Sequence, residues 1–134
     1  MKFFSGVFAA LTFSAALFFA GCCQVENNHL RPEDFADYLR RANIKVDGVR
    51  PLAPDPFRAS SGMAILVAGS EIGVYKYDTS ARIQAKRIER LRETGRTYIN
   101  GIPYPVEVYG SFMVLGLEKN PKKHEIIEVL HRFK

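Results

Sequence analysis

Apolar residues at Phe35, Tyr38, Leu39 and Ala42 fall at i, i+3, i+4 and i+7, the spacing that lines one side of an α-helix. Pro32 suits the first helical position. Glu33 and Asp34 then suit the positive end of the helix dipole, and Arg40 and Arg41 its negative end, so residues 32–43 are predicted as a helix. Ile44, Val46 and Val49 follow at nearly alternating positions, a short strand over 44–49. Residues 50–62, RPLAPDPFRASSG, hold three prolines and two serines before a glycine and read as a loop. Residues 63–78, MAILVAGSEIGVYKYD, read as a β-hairpin turning at Gly69-Ser70. In its second strand Ile72, Val74 and Lys76 share one face, while Gly73, Tyr75 and Tyr77 share the other.

Asp78, Thr79 and Ser80 offer helix N-caps, and a helix over 81–94 ends at Gly95, a natural left-handed terminator. Its apolar stripe is Ala81, Ala85, Ile88 and Leu91; Arg82, Lys86 and Arg90 lie opposite. Residues 97–117 return to strand, with turn signals at Asn100-Gly101 and Gly110-Ser111. Pro103 and Pro105 have no N–H for a ladder, which makes their segment an edge or a loop. Residues 106–117 form a second hairpin. A last helix within 120–134 buries Ile126, Ile127, Leu130 and Phe133. Paired hairpins between helices predict an α+β fold over residues 30–134: a single antiparallel sheet built from hairpins, with the helices packed on one face.

The start of the chain has a different pattern. Residues 1–20 contain no acid and one base, Lys2, and positions 3–20 are apolar or small. A base followed by an apolar stretch and then small residues is the layout of an export signal. It ends at Cys22 and Cys23, the only cysteines of the 134-residue chain. Adjacent cysteines bridge only with strained geometry, so no disulfide framework is expected in the domain that follows, and the role of Cys23 stays open.

Phe19-Ala20-Gly21-Cys22 resembles the lipobox of bacterial lipoproteins, with a large apolar residue, two small residues and then cysteine. Phe19 stands where the family more often has Leu. The resemblance implies that the Cys22 thiol carries diacylglycerol, that the chain is cut before Cys22, and that the new amine is often acylated, as with palmitate. Residues 1–21 are then a signal peptide and residues 22–29 a lipidated polar tether. In the lipoproteins of two-membrane bacteria, Asp after the modified cysteine marks inner-membrane retention. Cys23 stands there instead, which implies an outer-membrane protein facing the periplasm.

Charge and chemistry narrow the functional classes. The net charge of +5 is spread along the chain, short of the concentrated patch of a nucleic-acid binder. Serines 60, 61, 70, 80 and 111 sit in no nucleophile motif, and phosphate-binding and dinucleotide glycine motifs are missing; no enzyme activity and no cofactor are expected. His124, Glu128 and His131 fall at i, i+4 and i+7, a spacing compatible with shared metal ligation. A solvated polar helix face is the commoner reading, so no metal is expected. Tyr75, Tyr77, Tyr98, Tyr104 and Tyr109 cluster near the strands, where tyrosines either fill a sheet face or grip sugars and partner proteins. The like-charged series Arg82, Lys86 and Arg90 is either a solvated helix face, the commoner case, or a contact for anionic lipid or an acidic partner.

From Phe35 onward, Gly69, Ile72, Val74, Tyr75, Tyr77, Asp78 and Gly95 give a pattern similar to small exported bacterial proteins of unknown function. The sequence thus leads us to expect a membrane-anchored envelope lipoprotein without enzymatic activity, binding a protein or cell-wall component. The alternative is an inhibitor of an envelope hydrolase that inserts its 50–62 loop.

Overall fold

A computed structural model describes residues 25–134. The elements run α1 (Pro32–Arg41), β1 (Gly48–Leu52), a 3-10 turn at Asp55–Phe57, β2 (Ser61–Val67), β3 (Ser70–Lys76), α2 (Arg82–Thr94), β4 (Arg96–Ile99), β5 (Ile102–Tyr109), β6 (Phe112–Leu115) and α3 (Lys123–Leu130). The strands form one six-stranded sheet in the order β1-β2-β3-β6-β5-β4, antiparallel at every pairing. Two three-stranded meanders therefore meet at β3 and β6, and α2 carries the chain between them. No helix among the described residues is long and apolar enough to cross a membrane.

The α+β class and the single antiparallel sheet are as expected, but the placement of the helices is corrected. They divide between the two faces of the sheet. On one face, Phe35 and Leu39 of α1 and Ile126 and Leu130 of α3 pack with Ile65, Ile72, Val74, Phe112 and Val114. Phe133 closes that layer, with its ring centroid 5.1 Å from Phe35 and 4.7 Å from Phe112. On the other face, Ile88 and Leu91 of α2 cover Tyr75, Tyr77, Val106 and Met113. The cause lies in β3 and β6. Ile72 and Val74 alternate with Tyr75 and Tyr77, and Phe112 and Val114 with Met113 and Leu115, so successive side chains load both faces with apolar surface. Leaving either face wet forfeits about 1.5–3 kcal/mol for each large side chain.

Several boundaries also differ from the sequence reading. The first strand is 48–52, not 44–49; Ile44 is buried in the loop before it. Pro51 is tolerated because β1 is an edge strand. The first hairpin turns at Ala68-Gly69, both with positive φ (52° and 77°), the pattern of a type I′ turn. That register sets Gly62 opposite Tyr75. A Cβ on Gly62 or on Gly73 would stand 2.9 Å from the Tyr75 ring, so the ring lies across two glycines. At α2 the N-cap is Ala81, without a side-chain cap. The Asp78 carboxylate is occupied one step earlier, by the Ser80 amide at 3.0 Å and by the Ser80 hydroxyl and the Asn28 side chain. These hydrogen bonds hold the Asp78 carboxyl below its ordinary range.

The segment expected to be a polar tether is partly structural. Asn27 is 1% exposed. Its Nδ2 donates to the carbonyls of Phe133 (2.9 Å) and Tyr109 (3.2 Å), and its Oδ1 accepts from the amide and hydroxyl of Ser111 (2.8 and 2.9 Å). Lys76 completes the clasp, donating to the carbonyls of Asn28 (2.5 Å) and Leu30 (2.8 Å) above the Phe112 ring. Burial lowers the Lys76 ammonium from its ordinary value. The folded unit thus begins at least three residues earlier than Leu30.

Candidate functional site

Helical geometry places Arg87, Arg90, Leu91 and Thr94 on one side of α2, since they are spaced i, i+3, i+4 and i+7. Facing them is the 3-10 turn. Its Phe57 ring packs edge-on against Tyr75 at 4.7 Å, and the Phe57 carbonyl accepts the Tyr77 hydroxyl at 2.7 Å. Arg58 follows in the left-handed conformation (φ 52°). Its carbonyl accepts from Gln84 Nε2 at 2.8 Å and from Arg87 Nη1 at 3.2 Å, so the turn is fastened to the helix. Gly95, with φ 65°, ends α2 and swings the chain directly into β4, bringing Arg96, Thr97 and Tyr98 to the remaining side.

The result is a cleft of about 240 Å³ walled by Phe57, Tyr77, Leu91 and Tyr98 and carrying Arg58, Arg87, Arg90 and Arg96. No carboxylate lines it, and none of the four arginines belongs to an ion pair among the described residues. Four arginines lining one cleft without a carboxylate give it an uncompensated positive charge, which an entering anion offsets. Guanidinium forks bind carboxylate and phosphate through paired, charge-assisted hydrogen bonds. At the floor Tyr77 is buried, and burial pushes its hydroxyl up to about 12, against a smaller opposing effect from Arg87.

A larger cleft of about 650 Å³ lies on the other side of α2, between Val25, Asn28, Thr79 and Tyr109. Its charged lining is net acidic, with Glu26 and Glu89 against Arg92, which pairs with Glu89 and donates to the Gly110 carbonyl at 2.8 Å.

The residues singled out by sequence fare unequally. Cys22, Cys23 and the lipobox lie outside the described residues. Of the basic series, Arg90 reaches the cleft, whereas Arg82 and Lys86 are exposed elsewhere on α2. Arg58, Arg87 and Arg96 were missed; the i, i+3, i+4 spacing of Arg87 with Arg90 and Leu91 hinted at Arg87 alone. Tyr75 and Tyr77 are core residues, Tyr109 packs beside His131 at 5.3 Å, and Tyr98 and Tyr104 are exposed. His124 stands at the start of α3 and His131 at its end, with Glu128 turned to Arg132 at 3.8 Å. Among the described residues no three metal-ligating side chains gather as a site. The 50–62 segment is tied down by Phe57 and by the Ser60 amide, which donates to the Lys76 carbonyl at 2.7 Å.

The fold and the cleft define a small α+β domain with a cationic, aromatic-walled depression between a helix and a sheet edge. Comparison of the chain with protein-family models, with curated proteins and with solved structures returns no match.

Proposed function

We propose that this protein is a lipid-anchored envelope module that acts by binding, and that its arginine cleft receives the anionic group of a cell-wall or protein partner. The observation that carries the reading is the set of four arginines sharing one cleft with no carboxylate. A purely structural surface would intersperse its signs, since uncompensated like charges weaken the fold. The anchor is diacylglycerol on Cys22, with signal cleavage before it, and the address is the outer membrane of a two-membrane host. The buried Asn27 lies five positions after Cys22, with four residues between them. The full extension of that span is roughly 18 Å, so the domain rests on the bilayer instead of ranging from it. Neither a nucleic acid nor a cofactor enters this reading, and binding needs no reacting group. The inhibitor reading is the less supported one, because the 50–62 segment it needs is fastened along the sheet by Phe57 and Ser60.

The test has two parts. In cells fed a fatty-acid probe, the full chain is labelled, Cys22→Ser is not, and Cys23→Ser is. Labelling of Cys22→Ser at the full level refutes the anchor. In neutral detergent, the purified full chain binds polyanions in a salt-sensitive way, and Arg87→Gln with Arg90→Gln removes that binding. Unchanged binding by the double variant refutes the cleft.

A further inference from the structure

Resting on that reading, we infer that the cleft's ligand is an anionic glycan, a chain of sugar rings bearing carboxylate or phosphate groups, which runs from the arginines onto the arm made by β4 and the first half of β5. The arm is set by register. Arg96–Ile99 pairs only with Ile102–Pro105, and β6 joins β5 only from Val106. Residues 96–105 therefore project past the sheet as a two-stranded ribbon. Arg96 is its sole charge, yet Tyr98 is 61% exposed, Ile102 55% and Tyr104 38%. The face carrying Thr97, Tyr104 and Ile102 is continuous with the cleft, because Thr97 lines the cleft and pairs with Tyr104, whereas Tyr98 belongs to the opposite face of the ribbon and meets the cleft at its rim. An apolar surface of this kind marks an interaction site.

Its chemistry selects among occupants. A peptide adding as a further strand finds little to pair with. Pro103 and Pro105 deny N–H donors to the β5 side, and on β4 the Arg96 carbonyl already accepts the Thr94 hydroxyl at 3.2 Å. A second copy docking through the same surface would bring two sets of four unpaired arginines together, which like-charge repulsion opposes. A glycan meets neither obstacle. Sugar rings lie flat on exposed tyrosine faces and ask nothing of the backbone. The cleft volume of about 240 Å³, below the roughly 300–1,000 Å³ of drug-sized ligand sites, suits one charged sugar unit. Carboxylate and phosphate both match the guanidinium forks.

The experiment titrates the full chain in neutral detergent against polygalacturonate, dextran phosphate, unmodified dextran, polyglutamate and phosphatidylglycerol vesicles, at one ionic strength. We expect at least one charged glycan to bind about tenfold or more tightly than polyglutamate or vesicles, with dextran failing to bind. The two charged glycans separate carboxylate from phosphate as the recognised group. Tyr104→Ala weakens glycan binding roughly five- to tenfold and leaves residual polyglutamate binding unchanged, whereas Tyr98→Ala, at the cleft wall, weakens both. Both side chains are exposed, so an unaltered melting temperature certifies the fold of each variant. Polyglutamate or vesicles binding as tightly as the glycans, or tyrosine variants with full glycan affinity, overturn the glycan assignment while the arginine cleft stands. Anion binding that ignores Arg87→Gln and Arg90→Gln overturns both.

Discussion

Asn27→Ala tests how the N-terminal segment is joined to the domain. The side chain satisfies two donors on Ser111 and two carbonyls, on Tyr109 and Phe133, at distances from 2.8 to 3.2 Å. Ser111 is itself 1% exposed, so water does not readily replace the lost partner. The Ser111 hydroxyl rotates to find another acceptor; its amide and the Phe133 carbonyl cannot. Two orphaned backbone groups at about 1–3 kcal/mol each give a loss of about 3–4 kcal/mol, a large part of the roughly 5–15 kcal/mol that holds a domain together. For a folded unit of about 110 residues this lowers the melting temperature by roughly 10–20 °C. The assay is thermal and urea unfolding of wild type and variant, with hydrogen exchange at the Ser111 amide as the local readout. Asn27→Asp separates the two halves of the side chain, keeping the acceptor and losing the donor. A loss under about 1 kcal/mol with Ser111 still protected would refute the clasp. The same reasoning says that a chain starting at His29 melts well below one starting at Val25.

The other predictions concern single features. Gly110→Ala should cost more than about 2 kcal/mol, because φ there is +59° and the new Cβ would collide with the Asn27 side chain; urea unfolding checks it, and an unchanged midpoint counts against the packing described. Tyr77 titrates near 10 unfolded and near 12 folded, so above pH 10 the unfolded state loses its proton first. Stability then falls by about 2–3 kcal/mol as pH rises through that window. Tyr77→Phe should flatten this alkaline slope in pH-dependent urea unfolding, and an identical slope would refute the burial argument. Lys76 acts in the opposite direction. Its folded value is lowered, so its penalty is full at low pH and lifts as pH climbs towards the ordinary lysine range. Lys76→Met should remove that rising contribution, readable in the same titration. Phe57→Ala strips the ring from Tyr75 and should lower the melting temperature by several degrees, about 1–2 kcal/mol for a half-buried aromatic; a neutral result would mean the 3-10 turn is not fastened.

Local chemistry alone determined a good part of this protein. The i, i+3, i+4 stripe of α1 and its charged ends, the stop of α2 at Gly95, and the Asn100-Gly101 turn each depend on residues within a few positions of one another, and these elements form where the sequence places them. The antiparallel sheet follows because hairpins admit little else. Tertiary structure decided what depends on distant partners. The two-sided arrangement of helices came from the summed apolar load of β3 and β6, which no single element reveals. Asn27 reads as tether in a polar run, since an asparagine announces nothing until four partners from β5, the β5–β6 turn and the C-terminus surround it. The cleft is the sharpest case. Arg58 and Arg96 are 38 positions apart in the chain and share a site only because the sheet carries the 3-10 turn to one flank of α2 and β4 to its end. Short-range propensities set the elements, whereas the meeting of like charges across the fold is set by packing, which a reading of neighbouring residues cannot supply.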